Sequence, residues 1–500
     1  MARKIADDGP KGRTMQPLLE LYEQDACYDE YATENGVPRP HYAGLAATLR
    51  AIEWSDLRAR EQTVNAVLLQ RGVTFTVYAD SRGTERIMPF DLIPRIIPGS
   101  EWSRLSRGVA QRVRALNAFL ADVYHEQRIL REGVIPWDLV YSSKFFCREM
   151  IGLRVHRNVY IHVSGIDLIR GSDGTYYVLE DNLRSPSGIS YVLENRDVLK
   201  RSFPKLFENY QPLPVDDYPL RLRAALRDSA PQGLRSSGRD EPTIVLLTPG
   251  IYNAAYFEHT LLARRMGVEL VEGNDLIVHD NVVFMKTTRG LQRVDVIYRR
   301  IDDDFLDPLY FRPDSSVGIA GLMNAYRAGN VVIANAVGTG VADDKAVYPH
   351  VPAMIRFYLD EEPILENVPT FDCTNERERE HVLAHLGQLV VKNTNQSGGY
   401  GMLMGPASTA EEREHFREAI CAHPRDFIAQ PVIQLSSHPT IAGERLAPRR
   451  VDLRPFVLYG REVDVPPAAL TRVALSEGSL VVNSSQGGGS KDTWIIEDEG

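Results

Sequence analysis

The stretch "YYVLEDNLRSPSG", residues 176–188, is a run of aromatic and branched residues that drives straight into Glu180, Asp181 and Asn182. Upstream, "VYIHVSGIDLIR" and the turn "GSDG" make this the second strand of a β-hairpin over 159–182. A buried strand carries Tyr, Val and Leu readily, but charge at its end costs several kcal/mol unless something pairs with it. Residues two apart on a strand share a face, so Glu180 and Asn182 point one way and Asp181 the other. The turn folds Asp167 back beside the first two. Two carboxylates and an amide oxygen are hard donors of the type Mg²⁺ prefers, with waters and substrate phosphates completing its shell. The plain alternative is a solvated hairpin end with Arg184 balancing the acids.

Around this hairpin the chain alternates helical and strand patterns. Residues 1 to about 40 are polar and broken by Gly and Pro, and read as a loose start. Residues 43–71 and 101–130 repeat apolar residues at helical spacing, and "VTFTVYA" between them alternates like a strand. A polar segment, "PQGLRSSGRDEP" at 231–242, is the best linker. After it, "TIVLLTPG", the helical run "AAYFEHTLLARRMG" and "VELVEG" give a β-α-β order, which predicts a parallel sheet continuing through "VDVIYRR" and "GNVVIANAVG". Later strands are expected at "LGQLVVKN", "DFIAQPVIQL", "RRVDLRPFVLYG" and "GSLVVNSS". The tail "QGGGSKDTWIIEDEG" reads as a turn, a short apolar piece and acid.

Composition excludes some classes. The net charge is 57 − 67 = −10, against a dedicated nucleic-acid binder, whose footprint is a basic patch. The N-terminal residues have no apolar signal core, and no stretch approaches the ~20 apolar residues of a membrane helix. Cys27, Cys147, Cys373 and Cys421 lie far apart with no C-x-x-C pair, which fits a reducing compartment. The expectation is a cytoplasmic protein with no membrane partner.

Further residues can do chemistry. In "VVKNTNQSGGYGM", Lys392 ends an apolar strand, and Ser397, Gly398, Gly399 and Gly401 follow in a Gly-rich loop. Glycines let backbone N–H groups approach a phosphate, and lysine supplies a point charge; an ordinary hairpin loop has the same composition. Lys345 in "GTGVADDKAVY" is expected to open a helix, where an exposed lysine is equally at home. Gln430 sits in the apolar strand "FIAQPVIQL", where a hinge could hold an adenine. Arg454 lies inside the apolar run "VDLRPFVLYG" and needs an anionic partner, a triphosphate or a buried acid. Asn483 is a further oxygen donor. Together a metal triad, two lysines, a Gly-rich loop and a strand arginine supply the charge neutralisation that phosphoryl transfer requires.

The sequence resembles the circularly permuted ATP-grasp proteins related to glutathionylspermidine synthase. The resemblance covers roughly residues 70–500 and rests on "MPFDLIPRIIPGSEW", "VLEDNLRSPSGISYVLENR", "RRIDDDFLDP", "GTGVADDKAVYPHVP" and "SSQGGGSKDTW", and on their order. In the usual ATP-grasp chain the lysine strand and Gly-rich loop precede the metal strand; here "LEDN" comes first. The resemblance implies an α+β, circularly permuted ATP-grasp fold with a Rossmann-like pre-ATP-grasp domain and a helical N-terminal region. The expected divisions are 1–150 (N-terminal region), 151–230 (metal part), 241–340 (Rossmann-like), 341–435 (lysine and flap lobe) and 436–500 (remaining central lobe).

By resemblance, Asp167, Glu180 and Asn182 hold Mg²⁺ bridging the phosphates of ATP, and Lys345 and Lys392 contact those phosphates. Ser397 to Gly401 form a flap, Gln430 lines the adenine pocket, and Arg454 faces the transferred phosphate. The implied reaction is ATP-dependent amide or peptide bond formation between small-molecule or peptide carboxylate and amine substrates. Alternatives are a kinase-like activity and a non-catalytic nucleotide-binding role beside a partner. Glutathionylspermidine synthases carry an arginine two residues before the first metal aspartate; here that position is Gly165, so their acyl substrate does not transfer. Tyr252, Asn253 and Glu258, after the first strand of the Rossmann-like portion, are candidates for a substrate pocket, because ligands favour the carboxyl ends of such strands.

Overall fold

The structure, a computed structural model, describes residues 22–77, 84–231, 241–394, 401–479, 482 and 488–498. Its largest sheet has nine strands. Along the main path, Glu366–Asn367, Tyr176–Asn182, Val163–Arg170, Arg445–Tyr459, Ala469–Val473, Gly489–Ile496 and Phe90–Pro98 lie side by side, with the last pair parallel. Neighbouring residues on these strands face opposite cores, as the period of two requires. Ile97, Val457, Ala469 and Ile495 join one buried cluster, and Ile96, Phe456, Leu470 and Trp494 the other.

The first face is covered by helix Gly99–Val123, whose Trp102, Leu105, Val109, Val113, Leu116, Leu120 and Val123 form one buried stripe. Each such side chain contributes roughly 1.5–3 kcal/mol when removed from water. The second face is covered by helices Ala43–Ala51, Trp54–Gln70 and Ile189–Ser202. The helical region expected over 43–71 is thus two helices, with Ile52 and Glu53 extended between them.

A four-stranded parallel sheet follows, in the order Val332–Ala334, Val296–Arg299, Ile244–Leu247, Glu269–Val271. Helix Tyr256–Met266 connects its third and fourth members. An antiparallel three-stranded sheet over Leu276–Arg293 lies between the β-α-β unit and Val296, an insertion that the continuous strand pattern does not announce. A separate four-stranded sheet contains Leu389–Asn393 paired with Met402–Met404 and with Phe427–Pro431.

Two stretches differ from the sequence expectation. Residues 22–42 are not loose throughout: Tyr31 and Tyr42 are buried, and the Glu30 carboxylate lies in the core, bonded by Arg95 Nε and Nη2 at 2.6 Å. The tail is not a short apolar piece but an eight-residue strand, Gly489–Ile496, inside the large sheet. Both readings failed for one reason. Glu30 in the first stretch and Lys491 and Asp492 in the second are buried and break the apolar pattern, yet each charge finds a partner remote in sequence: Glu30 with Arg95, Lys491 with Asp91, Asp492 with Arg196. The expected linker falls mostly on residues 232–240, outside the described residues.

Among the described residues no helix is long and apolar enough to cross a membrane, and the four cysteines are unpaired.

Candidate functional site: a cleft between the hairpin and the lysines

The hairpin register pairs Asp167 with Glu180 and Gly165 with Asn182, with a bulge immediately after Asp167. The strand alternation sends Asp181 to the opposite side, as expected. There helix Gly99–Val123 supplies Arg112, which forks the buried Asp181 carboxylate at 2.6 and 2.7 Å and donates to Asn367 Oδ1 at 2.7 Å. This buried pair anchors the strand, so Glu180 and Asn182 are held on its other side.

The Asn182 amide, oriented by its hydrogen-bond partners, donates to Glu180 Oε1 at 3.2 Å and accepts from Arg454 Nη2 at 3.3 Å. Glu180 also meets Lys345 Nζ at 3.8 Å. Asp167 is engaged by two arginines. Arg454, on the adjacent strand, bonds both its oxygens, at 2.8 Å to Oδ2, and Arg472 Nη2 reaches the same Oδ2 at 2.7 Å. Arg472 is held in turn by Asp452. Although burial opposes ionisation of Asp167, the two guanidiniums outweigh it and hold its carboxyl well below the usual range.

Gly165 permits this arrangement. A Cβ there would lie 3.0 Å from Arg454 Cδ and 3.2 Å from its Cγ, so the arginine stem crosses the hairpin where a side chain is missing. Arg454 also donates to the Ser187 carbonyl at 3.1 Å, tying in the loop after the hairpin's second strand.

Lys345 follows two acids that fix it. Asp343 accepts from the backbone N–H of Leu183 and Arg184 at 2.9 and 3.0 Å, docking this segment onto the end of the hairpin strand. Asp344 is buried and accepts from Ser143 Oγ at 2.6 Å, from the Ala346 N–H at 2.9 Å and from Arg425. Arg184 pairs with Asp343 and stacks over Phe145, 4.5 Å from the ring centre; it therefore does not neutralise Glu180.

Lys392 comes from the separate antiparallel sheet, directly opposite Ile428, with Val390 opposite Gln430. All four share one face; the other face, with Val391, Phe427 and Ala429, packs into that lobe's own core. Burial pushes the Lys392 ammonium down to about 8, with the Lys345 charge adding to the effect and Glu180 and Asp167 opposing it. One narrow cleft is lined by all of these elements: Glu180 from the hairpin, Lys345 and Tyr348 from one segment, Lys392 and Ile428 from the small sheet. Gln430 shares the Lys392 face, where its amide donates to Thr370 Oγ1 at 2.9 Å.

The remaining candidates lie apart. Tyr252 is 88% exposed. Asn253 accepts from the Ala255 N–H at 2.9 Å, closing a local turn. Glu258 is buried, with Arg300 at 3.0 Å and the Gly188 N–H, Ser190 N–H and Ser190 Oγ all donating to Oε2 at 2.7–3.1 Å. Its carboxylate is occupied in joining two helices, so the expected role in a substrate pocket is not what its contacts serve. Gly401 forms the turn before Met402 with φ 65° and accepts from the Asn393 N–H. Ser397, Gly398, Gly399 and Asn483 lie outside the described residues.

A family model described as circularly permuted ATP-grasp type 2 matches residues 94–474. The chain belongs to the circularly permuted ATP-grasp type 2 family. Among relatives, an uncharacterized Synechocystis protein is 53% identical over 480 residues, 96% of this chain and 99% of its own length. An uncharacterized Mycobacterium tuberculosis protein is 53% identical over 94% of this chain and 84% of its own. A Frankia alni protein named "Putative glutamate--cysteine ligase 2-3" is 45% identical over 96% of this chain, which spans 54% of the Frankia protein. A glutathione synthetase-like effector from Globodera pallida shares the fold, with a TM-score of 0.55 at 12% identity over 88% of this chain and 96% of its own.

Within this ATP-grasp chain, sequence reasoning missed Asp343, Asp344, Tyr348, Ile428, Asp452 and Arg472. Arg472 carried the same signal as Arg454, an arginine inside an apolar strand. The two aspartates stood beside Lys345 in "ADDK". Nothing local marked Tyr348 or Ile428.

Proposed function

We propose that the protein is an ATP- and Mg²⁺-dependent carboxylate–amine ligase. The observation that carries the reading is the shared cleft, in which Glu180 of the hairpin faces Lys345 and Lys392, which arrive more than 160 residues later in the chain. The Glu180 carboxylate and the Asn182 amide oxygen are hard donors of the type Mg²⁺ takes, which Asp167 would join once Arg454 leaves its carboxylate, and a triphosphate suits the two lysines. Bound Mg²⁺ would screen the phosphate charge and orient the terminal phosphate.

The chain's residues then have these tasks. Lys345 and Lys392 contact the phosphates, and Ile428 and Gln430 border the adenine. Arg454, released from Asp167 as phosphate charge enters, stabilises the transferring group. A substrate carboxylate oxygen attacks the γ-phosphorus and ADP leaves. The amine nitrogen attacks the acyl carbon of the resulting acyl phosphate, phosphate departs, and the amine gives up a proton. No side-chain nucleophile is required. The parallel sheet over Ile244–Ala334 would serve as the pre-ATP-grasp domain, with Tyr252 and Asn253 at its open strand ends.

The test is ADP release against amino acids, peptides and polyamines, with glutamate plus cysteine included because of the Frankia relatives' name. Mass spectrometry of the products accompanies it. A condensed product, lost in Glu180→Ala, supports a ligase. A phosphorylated product indicates a kinase-like activity, and ATP binding without ADP release across the screen indicates a non-catalytic role; either refutes the ligase.

A further inference from the structure

A second concave site lies away from the ATP-grasp cleft, where three helices meet. Arg71, at the end of Trp54–Gln70, forms one wall, Ile189–Ser202 the second and Tyr256–Met266 the third. The cavity between them is about 560 Å³, within the range that holds a small molecule.

Its charge is opposite to that of the protein as a whole. Four arginines line it (Arg71, Arg201, Arg264, Arg265) against two acids, Glu194 and Asp197: 4 − 2 = +2, in a chain of net charge −10. The acids act as internal struts. Glu194 is buried, 3% exposed, and holds Arg71 at 2.7 Å and Arg265 at 3.5 Å; Asp197 holds Arg201 at 3.2 Å. Arg264 has no ion-pair partner among the described residues, and Arg201 is 67% exposed with one. Phe257 lines the same cavity and stacks on Tyr191, an apolar surface beside the guanidiniums.

The walls are fixed in advance. The second and third helices are joined by Glu258, which bonds Ser190 and the Gly188 N–H at the start of one helix and belongs to the first turn of the other. Arg71 and Arg265, held by Glu194, lose little order on binding, and guanidinium forks match the paired oxygens of phosphate and carboxylate.

We propose that this three-helix cleft is a binding site for a small dianion, a phosphate monoester or a dicarboxylate, seated between Arg264 and Arg201 with its carbon skeleton on Phe257. The site is separate from the ATP cleft and does not depend on the ligase assignment.

Calorimetric titration of the full chain at constant ionic strength tests it, with inorganic phosphate in one arm and succinate in the other. Saturable binding in either arm is expected and names the anion class. Arg264→Glu and Arg201→Glu, both on exposed side chains, should each weaken it about tenfold or more, with the circular dichroism spectrum unchanged. Arg114→Glu, a surface arginine paired with Glu361 elsewhere, controls for overall charge and should keep the affinity. Lys392→Met should keep it too, since that lysine belongs to the ATP cleft. The proposal is overturned by absence of saturable binding in both arms, or by loss of binding equal to that of Arg114→Glu. Loss in Lys392→Met with retention in Arg264→Glu also overturns it, since the anion would then occupy the ATP cleft.

Discussion

Lys392 offers the sharpest quantitative test, because its charge is held in a place that only a ligand would make comfortable. The fall from the ordinary lysine value of 10.5 to about 8 corresponds to about 3 kcal/mol of differential interaction, an order-of-magnitude figure. Its first cause is burial. The Lys345 charge pushes the same way, and Glu180 and Asp167 resist. Below pH 8 both folded and unfolded chains carry the charge, and the fold bears the full penalty. Between 8 and 10.5 the folded chain sheds its proton while the unfolded chain keeps it, so this residue makes stability rise with pH; above 10.5 nothing further changes. Lys392→Met should therefore stabilise the ligand-free protein at pH 7, by at most about 3 kcal/mol, while weakening ATP binding. A direct assay is the NMR titration of ¹³C-methylated lysines, with Lys392 assigned by its absence in Lys392→Met. The resonance should titrate near 8, move up in Lys345→Met, move down in Glu180→Gln, and move up on addition of Mg²⁺ and ATP. An ordinary value near 10.5, unaffected by Lys345→Met, would refute the reasoning, since the two lysines would then not share a dry cleft.

Other expectations follow from single contacts. Arg112→Met should destabilise by about 3–5 kcal/mol in chemical denaturation, because it strips the buried Asp181 carboxyl of its partner; adding Asp181→Leu should recover much of the loss. Gly165→Ala should push Arg454 off Asp167 and lower ADP release with the fold intact by circular dichroism; unchanged turnover would show that the arginine stem tolerates the methyl group. Asp167 contributes stability that is fully present above the ordinary aspartate range and lost as pH falls through its depressed value, so Asp167→Asn should flatten the acid limb of a pH–stability curve measured by thermal melting. Asn335→Ala should cost several kcal/mol in the same assay, since that amide accepts from the His162 and Val163 N–H and donates to the Val163 and Leu183 carbonyls.

By itself the sequence determined the local pieces: the hairpin, the two-residue alternation that separates Glu180 and Asn182 from Asp181, and the β-α-β order. These follow from short-range periodicity and steric preference, which act within a few residues. The tertiary structure alone decided where charges end. Arg454 and Arg472 reach Asp167 from 287 and 305 positions away, and Lys491 meets Asp91 across 400. Such partners make strands that look polar into core strands, fill Glu258 with backbone donors, and turn two distant lysines toward one glutamate. Pairing across those distances depends on sheet order and register, and no local pattern of residues encodes either.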